Sequence, residues 1–123
     1  MAAKIETTFT CTLAISTPSL GVMMDTGGVS PCASGTQAVG MAESAAIVAA
    51  NVTVSNGGIT NGKVAATTTR NCMLTANAGV LEPTVDPTLG AVVPCIGFSC
   101  GDAPTDESLI SIFVRPFALT YPA

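Results

Sequence analysis

An internal repeat with a period of about 50 residues limits the folds open to this chain more than any other feature. Met23-Met24 is followed by a glycine-bearing turn and Gly28-Val29-Ser30-Pro31, and Met73-Leu74 by a turn and Gly79-Val80-Leu81-Glu82-Pro83. The order continues in step, with Val39-Gly40-Met41-Ala42-Glu43 answered by Ile96-Gly97-Phe98-Ser99-Cys100. Each half closes on a strand-like run, Val52-Thr53-Val54 in one and Leu109 to Val114 in the other. A chain of 123 residues is large enough for one core and too small for two. Two similar β-units packed on each other therefore predict an all-β, compact barrel-like or sandwich domain. The repeat covers about 20–58 and 70–116, inside a single β domain over 9–116. Residues 1–8 are left as an N-terminal arm and 117–123 as a C-terminal tail.

Period-two alternation supports the strands. Thr8 to Ile15 sets Phe9, Cys11, Leu13 and Ile15 against Thr8, Thr10, Thr12 and Ala14, the mark of a half-buried strand. Leu109, Ser111, Phe113 and Arg115 oppose Ile110, Ile112 and Val114 in the same way, and Lys63 to Thr69 reads as a further strand. Asn56-Gly57 and Asn61-Gly62 tolerate positive φ, so a tight turn or hairpin is expected between Val54 and Val64. Met41 to Asn51, rich in alanine, is a candidate for either a helix or a loop.

Hydrophobic residues make up 48% of the chain and charged ones 10%, against about 25% charged in a typical globular domain. Something beyond an internal core is needed to cover such a surface. Pro31, Pro83, Pro87 and Pro94 break the uncharged stretches before any reaches the ~20 apolar residues of a spanning helix, so other protein subunits are expected there and not a membrane. Nucleic acid is excluded as a partner on composition: there is no Trp, the net charge is −4, and Lys4, Lys63, Arg70 and Arg115 form no phosphate-neutralising run. The first residues lack the apolar core and cleavage site of a secretory leader, which points to synthesis and retention in a cytoplasm. The five cysteines, Cys11, Cys32, Cys72, Cys95 and Cys100, are then expected to be free and mainly buried.

The motifs that could carry chemistry are each read structurally. Asp25-Thr26-Gly27 matches the signature of aspartic proteases, in which paired carboxylates share a proton and activate water, and a chain this short would have to supply one Asp25 from each half of a homodimer. The second repeat makes the corresponding turn, near Thr75 to Ala78, without a carboxylate, so Asp25 is expected to be a turn residue. Gly57 to Lys63 follows most of a phosphate-binding loop, but Val64 stands where Ser or Thr would hold magnesium and strand-forming residues follow. Asn51-Val52-Thr53 is a glycosylation sequon with no secretory route to use it. Without histidine, a zinc site would need cysteines gathered from distant strands, and Asp102, Asp106 and Glu107 follow no calcium-loop spacing. The expectation is no catalytic residue, no metal and no cofactor.

The repeated order of apolar strand, glycine turn, Gly-Val-x-Pro or Gly-Val-x-x-Pro, then Val/Ile-Gly-apolar and a closing alternating strand resembles the small capsid decoration proteins of tailed bacteriophages. The likeness runs from about Leu20 to Arg115 and is densest in Met73 to Pro83, Ile96-Gly97-Phe98 and Leu109 to Ile112. The five cysteines and the long spacer Asp86 to Val93 depart from the pattern. The resemblance implies a β-tulip fold, a homotrimer on the capsid exterior of the virion, and the major capsid protein as partner. The role would be a cement clamping capsid subunits against internal DNA pressure. It also implies an N-terminal arm that adds to a capsid strand, for which Ile5, Thr7 and Phe9 are the candidate contacts. Two other classes compete: a secreted or surface adhesin or pilus-like subunit, which would carry a leader, and the homodimeric protease using Asp25.

Overall fold

A computed structural model of the chain describes residues 4–66, 68–84 and 92–120. Nine strands and no helix occur among them: β1 Ile5–Thr10, β2 Gly21–Asp25, β3 Gly28–Pro31, β4 Ala38–Ala42, β5 Asn51–Val64, β6 Met73–Asn77, β7 Val80–Pro83, β8 Val92–Ser99 and β9 Ser108–Thr120. Two tight hairpins, β2–β3 and β6–β7, recur in corresponding places of the two halves. Ala78 and Gly79 both take positive φ (52° and 86°), which lets a two-residue turn follow the twist of β6 and β7.

The pairing pattern occurs twice. In the first unit β2 pairs with β3 and β4, β4 with the first part of β5, and β5 with β1, while Cys11 just past β1 bridges back to Val29 of β3 in parallel. In the second, β6 pairs with β7 and β8, β8 with β9, β9 with the later part of β5, and Val64 of β5 bridges Leu81 of β7 in parallel. Each set of pairings returns to its starting strand. Val22 and Pro31 of the first hairpin hold the places of Leu74 and Pro83 in the second, 52 residues on in both cases. By this register Met73 corresponds to Gly21, so the apolar pairs Met23-Met24 and Met73-Leu74, alike in type, are not structurally equivalent.

The 14-residue β5 belongs to both units, and this departs from the sequence expectation. No hairpin forms at Asn56-Gly57 or Asn61-Gly62. The strand instead shifts register beside Asn56 and passes from β1 and β4 onto β9. Asn56 donates to Thr7 across the β1 ladder, and Gly57 leaves the room that the Ile5 side chain fills. Ladder partners on both sides thus outweigh the turn preference of Asn-Gly.

Two buried clusters form the core. One gathers Cys11, Ile15, Val22, Val29, Val52 and Val54 of the first unit. The other gathers Val64, Leu74, Leu81, Ile96 and Ile112 of the second together with Cys32, Ala38 and Met41 of the first, so the units share apolar cover as well as a strand. At about 1.5–3 kcal/mol for each fully buried aliphatic side chain, this joint core makes one domain of the two units.

Other expectations change in detail. The strand predicted over Thr8 to Ile15 ends at Thr10; Cys11 and Ile15 stay buried through isolated bridges to Val29 and Ala46, while Leu13 turns outward. Met41-Ala42 closes β4, Asn51 opens β5, and the rest of the helix candidate is loop pinned by the Ile15–Ala46 bridge. Ala65 and Ala66 lie beyond β5, so the strand expected over Lys63 to Thr69 stops at Val64. Residues 5–8, assigned to an arm, lie along β5 in the β1 ladder, although Phe9 is the one half-buried residue of the strand and the others are exposed. Phe117 to Thr120, assigned to the tail, continue β9 against β8; residues 121–123 lie outside the described residues.

Candidate assembly surfaces

Asp25 ends β2 at an exposed hairpin tip. Its carboxylate accepts from the Thr12 hydroxyl and the Thr26 N–H, both at 2.8 Å, and these two hydrogen bonds hold it below the usual aspartate range. This is the geometry of a carboxylate that ties a turn to the neighbouring chain. Gly57 to Lys63, the phosphate-loop match, is strand throughout. The acidic group disperses into local roles: Asp102 accepts from the Arg70 N–H at 2.8 Å, Asp106 from the Ala66 N–H at 3.3 Å, and Glu107 faces Lys63 at 4.0 Å. No set of three metal-ligating side chains comes together among the described residues.

The five cysteines are unpaired; Cys11, Cys32 and Cys95 are buried, Cys72 half-buried and Cys100 exposed. Burial pushes the Cys32 thiol up to about 11 and raises Cys11 and Cys95 as well, so these three behave as small apolar side chains.

Sequence reasoning passed over Glu43, which anchors a small polar network at the crossing of β5. Burial drives its pKa up, but the Ser55 and Thr60 hydroxyls and the Lys4 ammonium at 3.4 Å overcome that and hold it below the usual glutamate range. Ser55 lies before the register shift of β5 and Thr60 after it, so one carboxylate clasps both parts of the strand. Nothing in the spacing of Glu43, Ser55 and Thr60 marks them as partners; a β-strand that bends is needed to bring them together.

The outward surface carries apolar patches. Phe113 pairs with Ile59 on β5 and with Phe98 on β8, and Phe98 pairs with Met73 on β6, so one row of large side chains crosses four strands. Leu109 stands further along the same face of β9, and Ile59, Leu109 and Phe113 are exposed. Phe117 stacks on Phe98 at 5.6 Å, and with Arg115 they line a hollow of about 240 Å³. A second hollow of about 350 Å³, lined by Ala14 to Ser16 and Ala45 to Ile47, lies beside the Ile15–Ala46 bridge, and Leu13, Ile47 and Val48 are exposed. Of the three candidate arm contacts, Ile5 and Thr7 are exposed on β1, and Phe9 packs against the first core cluster. Their strand pairs with β5 on one side and has no second strand partner among the described residues apart from the bridge at Cys11.

Two sets of pairings that each return on themselves, sharing one long strand and exposing apolar faces, define a class of all-β protein. No protein-family model matches the chain, and no curated protein matches it in sequence. Its fold is that of the N base of head fiber gp8.5 in bacteriophage phi29, with a TM-score of 0.62 at 15% sequence identity over 92% of this chain and 95% of that one.

Proposed function

We propose that this chain is a structural protein of a tailed-phage head, a decoration or cement subunit of the β-tulip type that binds the capsid exterior, associates as a trimer and performs no catalysis. The observation that carries the reading is the fold shared over nearly the whole of both chains with a base of a phage head fiber. The molecule's own chemistry agrees with it. Asp25, Asp102 and Asp106 cap backbone N–H groups and Glu43 clasps β5, and the exposed apolar rows are the kind of surface a subunit buries against neighbours. Attachment to the major capsid protein is assigned to β1, where a capsid strand would pair along the open edge and contact Ile5 and Thr7.

The test is co-sedimentation of the purified protein with DNA-filled and emptied heads of the phage that encodes it. Saturable binding to the heads is expected, and Ile5→Lys, on a side chain 63% exposed, should weaken it without changing the far-ultraviolet circular dichroism. Absence of binding to either form of the head would overturn the reading. Binding unaffected by Ile5→Lys would move the attachment surface off β1.

A further inference from the structure

The two hairpins have matching ladders but different surroundings. The tip of the second, Asn77 to Val80, is seated on the first unit: the Gly21 N–H donates to the Gly79 carbonyl at 2.8 Å and the Gly79 N–H donates to the Cys32 carbonyl at 3.0 Å. Gly79 is buried, and a methyl group there would meet Leu20 Cβ at 2.9 Å. The seat is made of Ser19-Leu20-Gly21 and Cys32, closed by the Cys32 N–H donating to the Gly21 carbonyl at 2.9 Å. By contrast, Asp25, Thr26 and Gly27 at the tip of the first hairpin are exposed, and a methyl group on Gly27 would meet nothing within 4 Å.

The second unit carries a seat of the same build. Asn71-Cys72-Met73 corresponds to Ser19-Leu20-Gly21, and Ser19 and Asn71 share a left-handed backbone, φ 67° and 64°. The Thr84 N–H donates to the Met73 carbonyl at 3.0 Å, as Cys32 does to Gly21, and the Ser99 N–H donates to the Cys72 carbonyl as Ala42 does to Leu20. Among the described residues no hairpin tip covers this second seat. Leu20, Gly21 and Cys32 are buried, whereas Cys72, Met73 and Thr84 remain partly exposed. Among the described residues, every copy therefore has one exposed tip and one seat of the same build with no tip on it.

We propose that the exposed β2–β3 tip of one copy docks on the Asn71-Cys72-Met73/Thr84 seat of a second copy, repeating between chains the contact that joins the two units within a chain. The Met73 N–H then donates to the carbonyl of Gly27 of the partner subunit, whose own N–H donates to the Thr84 carbonyl. The tip brings a carboxylate to a seat that has both a cation and, on the Arg70 N–H at 2.8 Å, the Asp102 carboxylate beside it. Asp25 stands on the tip, and Arg70, whose guanidinium has no carboxylate partner within 4.0 Å among the described residues, adjoins the seat. The correspondence also sets the strength of the contact. Inside the chain Gly21 and Ala76 meet closely, the Cβ built on Gly21 lying 3.3 Å from that of Ala76, while between chains Met73 and Met24 take those places. Two flexible thioether side chains adapt to each other but hold the surfaces further apart, so the contact between copies is the weaker and reversible one. A tip-to-seat contact is heterologous, and it closes into a ring when the rotation between copies allows.

The proposal rests on the self-association part of the reading above and is independent of head binding. Sedimentation equilibrium is measured over a wide concentration range for the full chain, Asp25→Arg, Arg70→Asp and the double variant, with circular dichroism confirming that each is folded. The wild type should associate, each single variant should weaken association about tenfold or more by opposing like charges, and the double variant should recover most of the loss. Single variants that associate like the wild type, or a double variant no better than the singles, would overturn the tip-to-seat contact and leave self-association standing. A wild type that stays monomeric at every concentration would overturn both, whatever the result of head binding.

Discussion

Gly27 and Gly79 form a matched pair for measuring how firmly the two units are joined. Each closes a hairpin with φ near the same value, 88° and 86°, so replacement by alanine imposes the same backbone penalty, roughly 1–2 kcal/mol for an L-residue in the left-handed region. Their surroundings differ. The new methyl of Gly27→Ala enters open space, while that of Gly79→Ala meets Leu20 Cβ at 2.9 Å and the Gly21 carbonyl oxygen at 3.3 Å. A Cβ atom is fixed to its backbone and cannot swing aside, so β2 or the tip itself must move, and overpacking of this kind costs about 1–3 kcal/mol more. Urea unfolding at a concentration where the chain is monomeric should show Gly79→Ala less stable than Gly27→Ala by that margin. With a slope of about 1–3 kcal/mol/M, the midpoints then separate by on the order of 1 M. Equal midpoints would mean that the tip at Gly79 is not seated on the first unit in solution, and the joint between units would have to lie in β5 and the shared apolar cluster.

Glu43 makes acid stability testable. Its folded-state pKa is depressed, so its contribution is fully present above the ordinary glutamate range and is lost as pH falls through the folded-state value; Glu43→Gln should lower stability at neutral pH and flatten the acid limb of the urea midpoint against pH. A Gln variant with the wild-type pH profile would remove Glu43 as the clasp on β5. For the thiols, a disulfide reagent at neutral pH should modify Cys100 first and Cys72 next, with Cys11, Cys32 and Cys95 protected until unfolding, and denaturation without reductant should release all five. Release of only one would mean two disulfides.

The strand content was readable because alternation reports burial directly where a strand has one face inside. Ile110, Ile112 and Val114 are buried and Leu109 and Phe113 exposed, as the period-two pattern of β9 requires. Gly40 and Gly97, which the sequence places in step, sit where the Ser55 and Phe113 carbonyls pass too close for any side chain, so their recurrence has a steric cause. Asn56-Gly57 and Asn61-Gly62 misled because turn preference is local while strand continuity is decided by partners: β1, β4, β7 and β9 all bond to β5, and no window of sequence contains them. Leu13 misled for a related reason. It keeps the alternation of Phe9, Cys11 and Ile15, but the ladder that would enforce that alternation ends at Thr10. The clasp at Glu43 and the row from Ile59 to Met73 were illegible because their members meet only across strands distant in the chain.

The scarcity of charge acquires a spatial meaning once the strands are paired. Lys4 and Lys63 are engaged with Glu43 and Glu107 of the same chain. The two remaining cations stand on separate candidate surfaces, Arg70 beside the uncovered seat and Arg115 in the hollow with Phe98 and Phe117. Of the exposed large apolar side chains, Ile59, Leu109 and Phe113 stand on β5 and β9, Leu13, Ile47 and Val48 on loops, and Ile5, Met24 and Val92 on β1, β2 and β8. A monomer that functions alone gains nothing from several such patches and bears the aggregation risk of each. A subunit bonded to its own kind on one side and to a head on another needs at least two, and it needs them on different parts of its surface. That requirement is how the proposed structural role accounts for a chain with 10% charged residues.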